Sequence, residues 1–134
     1  LVHRVLEACP QTSVLRDPTR GGVATTLNEI ARQSRVGIRI FEELLPIRDD
    51  VAGACELLGL DPLYVANEGK VLAFVPERAW PEALNAMCSH PLGRGACRIG
   101  EVVADNPGRV FMTTRIGGER LVDMLRGEQL PRIC

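Results

Sequence analysis

Val23, Leu27, Ile30, Ala31 and Ser34 recur at helical spacing directly behind a glycine pair, Gly21-Gly22, and that junction constrains the fold more than any other stretch. The spacing predicts a helix over about 22–34, led in by a loop from Ser13 to Gly22. A helix that starts at adjacent glycines offers backbone N–H groups that close neighbours can reach.

The other periodicities follow in order. Val2, Val5, Leu6 and Cys9 keep helical spacing as far as Pro10, reading as the end of a helix whose beginning lies in preceding sequence. Val36 to Glu42 reads as a strand with Ile38 and Ile40 on one side and Arg39 opposite. Asp49 and Asp50 are placed to cap a helix with the stripe Val51, Ala54, Cys55 and Leu58, ending at Gly59. Val71 to Val75 is a short apolar strand suited to a buried position, and Ala79, Ala83, Leu84, Met87 and Cys88 mark a helix entered near Pro81. After a Gly- and Pro-rich loop at 91–95, strands near 98–104, 109–115 and 119–124 are separated by Asn106-Pro107-Gly108 and Gly117-Gly118. Connections that short suggest an antiparallel meander.

This order predicts an α+β layered domain whose mixed or mostly antiparallel sheet is packed with helices. With 134 residues, 46% of them hydrophobic, one compact core is expected. A net charge of -1 with no block of one sign argues against a nucleic-acid surface and a polybasic membrane face, and no apolar run approaches the ~20 residues of a membrane span. Five cysteines, at 9, 55, 88, 97 and 134, form no C-x-x-C pair and no ligand spacing, so reduced thiols in the cytoplasm are expected and no metal site is. Cys9, Cys55, Cys88 and Cys97 read as core residues, and His3 and His90 as ordinary surface or loop residues. The start, Leu1-Val2-His3-Arg4, carries neither an initiator methionine nor a signal-peptide pattern.

Three segments carry chemistry. Asp17-Pro18-Thr19-Arg20-Gly21-Gly22 leads into a helix N-terminus, where free N–H groups and the helix dipole favour an anion and Arg20 can add a bidentate contact. The alternative is that Asp17 and Thr19 cap the helix and the glycines only make a turn. Asn67-Glu68-Gly69-Lys70 follows the apolar run Leu63 to Ala66 and precedes a strand; a carboxylate at such a sheet lip can serve as a general base, or the segment is merely a polar turn between strands. The end of the chain, from Gly127 through Pro131 to Cys134, reads as a flexible tail that spans up to ~26 Å when extended. It can carry a thiol to a distant site, where a base or cation must generate the thiolate, or it is a frayed end with an incidental cysteine.

Taken in order, Asp17 to Gly22, Asn67 to Lys70, Ser89-His90-Pro91-Leu92-Gly93, Ile99-Gly100-Glu101 and the ending Pro131-Arg132-Ile133-Cys134 resemble the carboxy-terminal half of the hydrogenase maturation family HypE. That family belongs to the PurM-like superfamily of aminoimidazole ribonucleotide (AIR) synthetase, selenophosphate synthetase and thiamine-monophosphate kinase, which shares the glycine-rich helix start. The resemblance implies a PurM carboxy-terminal-domain-like fold over residues 1–126 and a tail over 127–134 ending in a carrier cysteine. It implies an ATP-dependent carbamoyl dehydratase: HypF carbamoylates Cys134, ATP phosphorylates the carbamoyl oxygen, phosphate leaves, and the cyano group passes to iron on the HypC–HypD complex. In that scheme Glu68 is the base, Asn67 and Lys70 support it, and Asp17, Arg20, Gly21 and Gly22 face the nucleotide. ATP and Mg2+ would be bound mainly by an amino-terminal domain outside this sequence, so this chain alone is expected to bind neither tightly nor to turn over; the whole protein is expected to be a homodimer. The rivals are another ATP-dependent enzyme of the superfamily, selenophosphate synthetase-like, and a non-enzymatic docking module.

Overall fold

A computed structural model describes residues 1–125, so the tail and Cys134 lie outside the described residues. Instead of sharing one core, the chain divides into two compact units, Leu1–Arg16 with Val71–Arg98 and Asp17–Lys70 with the segment from Ile99 onward.

In the first unit, α1 (Val2–Ala8) and α4 (Trp80–Cys88) accompany a two-stranded sheet of β1 (Val14–Arg16) and β3 (Leu72–Phe74). The strands pair antiparallel, Val14 opposite Phe74 and Arg16 opposite Leu72. Strand β1 falls where the sequence predicts loop, because three residues are too few to display alternation. Strand β3 is half-buried, not buried, since its sheet has only two strands. Cys9, Ala79 and Ala83 form the buried cluster, with Val75 packed on it. The Thr12 hydroxyl donates to the Cys9 carbonyl at 2.7 Å, satisfying an acceptor where α1 ends. Helix α4 carries Pro81 in its first turn as expected. Two cysteines depart from their predicted core placement: Cys88 is half-buried with its thiol on the Ala96 carbonyl at 3.6 Å, and Cys97 is exposed in the loop beyond.

The second unit contains α2 (Gly22–Ser34), β2 (Gly37–Phe41), α3 (Asp49–Leu58), β4 (Gly100–Val103), β5 (Val110–Thr113) and β6 (Glu119–Leu121). Its sheet has the order β4-β2-β5-β6, with β2 antiparallel to β4 and parallel to β5, and β5 antiparallel to β6. The predicted meander is therefore corrected: β4 and β5 are not partners, and β2 separates them. Strand β2 buries Ile38 and Ile40 and is paired on both sides. The connection through Asn106, Pro107 and Gly108 crosses over its beginning, with the Gly108 N–H donating to Val36 O at 2.9 Å. A Cβ on Gly37 would sit 2.0 Å from Asp105 O, so that crossing needs a glycine beneath it.

Helix α2 lies against β2 and β5, burying Ala24, Leu27, Ile30 and Ala31 on the side of Ile38, Ile40, Val110 and Met112. Each large side chain buried there contributes about 1.5–3 kcal/mol. Helix α3 ends at Gly59 in the left-handed conformation, as predicted; Asp49 and Asp50 lie in its first turn behind Arg48, and Asp50 Oδ1 accepts from the Val51 N–H there at 3.0 Å. Of its predicted stripe only Cys55 is buried; Leu57 and Leu58 are 90% and 71% exposed. No described helix is long and apolar enough to cross a membrane.

Candidate functional site

Helix α2 starts on two left-handed residues, Gly21 at φ 72° and Gly22 at φ 61°, which any other residue adopts only with strain. Gly21 is the residue before the first turn, and no side chain caps the helix there. The capping roles open to Asp17 and Thr19 are thus not taken up. The first turn also holds no acidic residue, so the positive end of the helix dipole is uncompensated by side chains. The loop supports itself through its backbone, Thr19 N–H to Asp17 O at 3.0 Å and Gly22 N–H to Thr19 O at 2.9 Å, and it is pinned by the buried Pro18. Asp17 and Arg20 stay exposed on its outer side. The buried Thr25 hydroxyl oxygen has no hydrogen-bond partner in the described structure, and a Cβ on Gly21 would lie 2.1 Å from it. A glycine start, an uncapped helix and an exposed arginine together suit a phosphate.

The second segment joins the first through its backbone. The Asn67 N–H donates to Pro18 O at 2.8 Å, drawing the Asn67–Lys70 turn against the Asp17–Gly22 loop. Asn67 closes its own turn by accepting from the Gly69 N–H at 3.2 Å, with Glu68 between them. Glu68 and Lys70 are exposed. The turn is not bordered by two strands, however: Pro62–Tyr64, just upstream, is a single 3-10 turn, and only β3 follows. The apolar run Leu63 to Ala66 gives no strand because Asp61 caps that turn, its Oδ1 accepting from the Leu63 N–H at 2.9 Å, and Pro62 enters it.

That 3-10 turn packs on the helix start. A Cβ on Gly22 would sit 2.5 Å from Leu63 O and 2.6 Å from Val65 O. Gly22→Ala combines this backbone clash with a left-handed φ of 61°, and it is expected to destabilise the fold by more than ~2 kcal/mol, read as a lowered denaturant midpoint in urea unfolding.

Other contacts fix the turn to the sheet end. Arg120 Nη1 donates to Asp61 Oδ2 at 2.8 Å, and the Tyr64 hydroxyl donates to Asp123 O at 2.9 Å. Burial raises the Tyr64 phenol above its ordinary value, and the Asp61 carboxylate adds to the rise, so it stays protonated and remains a donor at neutral pH. Neither Asp61 nor Tyr64 belongs to a chemical motif; only the Asp-Pro pair at 61–62 announces a turn in the sequence. Among the described residues no three Cys, His, Asp or Glu side chains converge on a metal position. Cys134, the third predicted element, lies outside the described residues.

The chain as a whole is similar to known proteins. The sequence pattern of the AIR synthase related protein, C-terminal domain, matches residues 2–113. The chain is 57% identical over 134 residues to carbamoyl dehydratase HypE of Azotobacter vinelandii, covering 100% of this chain and 39% of that protein. A solved structure of hydrogenase maturation protein HypE in complex with ATP matches with a TM-score of 0.85 at 50% identity, covering 92% of this chain and 38% of that one. A chain from a HypE-HypF complex matches with a TM-score of 0.87 at 44% identity, covering 92% of this chain and 40% of that one. The chain thus spans about two fifths of the length of the relatives it matches. With the match running over most of its residues, the chain belongs to the family of AIR synthase related protein C-terminal domains.

Proposed function

We propose that this chain is the carboxy-terminal part of a carbamoyl dehydratase of the HypE kind, with Cys134 as carrier thiol, Glu68 as base and the start of α2 on the phosphate side. The observation that carries the reading is the 2.8 Å bond from Asn67 N–H to Pro18 O, which makes neighbours of a glycine helix start and a carboxylate-bearing turn far apart in sequence. Similarity, over all of this chain, to 39% of carbamoyl dehydratase HypE and likeness to an ATP complex and to a HypE-HypF complex of HypE support it.

The chemistry requires both segments. A carbamoyl group is transferred by HypF to the Cys134 sulfur as a thiocarboxamide, S–C(=O)–NH2. Its oxygen attacks the terminal phosphorus of ATP, ADP departs, and nitrogen gives up one proton, leaving S–C(OPO3)=NH. Cleavage of the carbon–oxygen bond then expels phosphate, and loss of the second nitrogen proton gives the thiocyanate, S–C≡N. Phosphorylation converts a poor leaving group into a good one, and a carboxylate beside the nitrogen accepts a proton at each stage. Glu68 takes that role, oriented by the turn that Asn67 closes, with Lys70 close in sequence to polarise the carbamoyl oxygen. Gly21, Gly22 and Arg20 stabilise charge on the transferring phosphoryl group, and Asp17 borders it. Mg2+ would neutralise ATP phosphates when bound, and in this reading its ligands come mainly from the longer protein. The cyano group then passes to iron on HypC–HypD in the cytoplasm.

The test is the intact mass of the full-length protein incubated with HypF, carbamoyl phosphate and ATP. A carbamoyl adduct on Cys134 that loses the mass of a water when ATP is added is the expected result. Absence of any adduct with an active HypF would overturn the reading.

A further inference from the structure

Cys88 ends α4, and the residues after it fold straight back over the helix end. The His90 N–H donates to Met87 O at 3.0 Å, the Gly93 N–H to His90 O at 2.8 Å and the Ala96 N–H to Gly93 O at 2.9 Å. His90 Nδ1 accepts from the Leu92 N–H at 3.2 Å. A Cβ on Gly93 would sit 2.2 Å from Met87 O, so only a glycine lets the loop pass this close to the helix. The return brings Ala96 O to the Cys88 thiol, which donates to it at 3.6 Å. Beyond Cys97, the Arg98 guanidinium lies 5.4 Å from the centroid of the Trp80 ring, at the start of the same helix. Cys97 is thus held between two anchors on α4.

We infer that Cys88 and Cys97 are a redox pair that closes reversibly to a disulfide, a modification site separate from the proposed dehydration. Across a planar trans peptide a Cα lies roughly 2.8 Å from the preceding carbonyl oxygen, so Cys97 Cα is within about 6.4 Å of the Cys88 sulfur. A disulfide places its two Cα atoms about 4.4–6.8 Å apart. Residues 96–99 belong to neither helix nor strand, so the loop end can close that short gap without breaking either. The Cys97 thiol registers the proximity: burial raises it above its ordinary value, and Cys88 adds to the rise. The exposed Cys97 meets the oxidant, a small disulfide such as oxidised glutathione. Its thiolate attacks one glutathione sulfur and releases the other as thiolate. The Cys88 thiolate then attacks the Cys97 sulfur and expels the second glutathione. Two protein thiols thereby lose two protons and two electrons, and one oxidised glutathione becomes two reduced ones. Eight residues lie between the cysteines, so the second step is intramolecular, with the loop already folded for it.

The test incubates the full-length protein with oxidised glutathione, blocks the remaining thiols by alkylation and digests with trypsin without reduction. Arg94 lies between the two cysteines, so trypsin separates them, and a disulfide holds peptides 79–94 and 95–98 together until dithiothreitol is added. That linked pair is the expected product, exceeding glutathione adducts on Cys97 by at least about tenfold. Cys88→Ser is expected to lose the pair and keep glutathione on Cys97 instead. Cys97→Ser, a change at an exposed position, is expected to lose both. Glutathione retained on Cys97 of the wild type without the linked pair overturns the inference. So does a link from Cys97 to any other cysteine, or a Cys97 that does not react.

Discussion

Cys134→Ala in the full-length protein is expected to abolish the carbamoyl adduct and lower hydrogenase maturation by at least about a thousandfold, because in the proposed reaction it removes the atom on which every intermediate is built. None of the other thiols is placed to substitute for it. Cys9 and Cys55 are buried, and the Cys88 sulfur is engaged with the Ala96 carbonyl. Cys97 is exposed, but burial raises its thiol above the ordinary value and nearby Cys88 adds to the rise, so its thiolate fraction at neutral pH is depressed. The mass of the Cys134→Ala protein after incubation with HypF, carbamoyl phosphate and ATP should equal that of the untreated protein. A surviving adduct would place the carrier on another residue, and unimpaired maturation would favour a relative in the superfamily for which the last cysteine has no role.

How much of this could be read from the chain depends on how local each feature is. The helix behind Gly21-Gly22 was legible because its periodicity is long and its start carries a conformational signature, and both glycines have the positive φ that signature demands. The β5–β6 hairpin was legible from its glycines, Gly117 with positive φ closing the turn that runs from Thr114 to Gly118. The position of β2 was not: its central place follows from pairing with β4 and β5, which are more than fifty residues away. Short connections suggested a local meander, and the burial of Ile38 and Ile40 was satisfied instead by a crossing over Gly37. The candidate site divides likewise. Its residue types were legible, but the bond from Asn67 N–H to Pro18 O is a long-range backbone contact, for which side-chain identity carries no signal, and the Tyr64 hydroxyl donates to a backbone carbonyl, Asp123 O, an acceptor that every residue offers. Helix α3 shows the converse, a clear apolar stripe of which only Cys55 is buried.

Glu68→Gln separates the two halves of the proposed reaction. The amide keeps the size of the carboxylate and can still occupy the turn between Asn67 and Gly69, but it cannot accept a proton from nitrogen. Glu68 is exposed and the replacement is isosteric, so the variant is expected to fold. Carbamoylation of Cys134 by HypF needs no base at residue 68 and should proceed at its normal rate. The ATP-dependent loss of water should then slow by about 10²–10⁴-fold, a rise of roughly 3–5 kcal/mol in the barrier. The variant should therefore accumulate the carbamoyl adduct, visible by intact mass, where the wild type passes on to the cyano form. Equal rates of dehydration in the two proteins would remove Glu68 from the chemistry and leave it as a turn residue. Loss of the carbamoyl adduct itself would instead place Glu68 in the encounter with HypF, because the adduct forms before any proton is taken from its nitrogen.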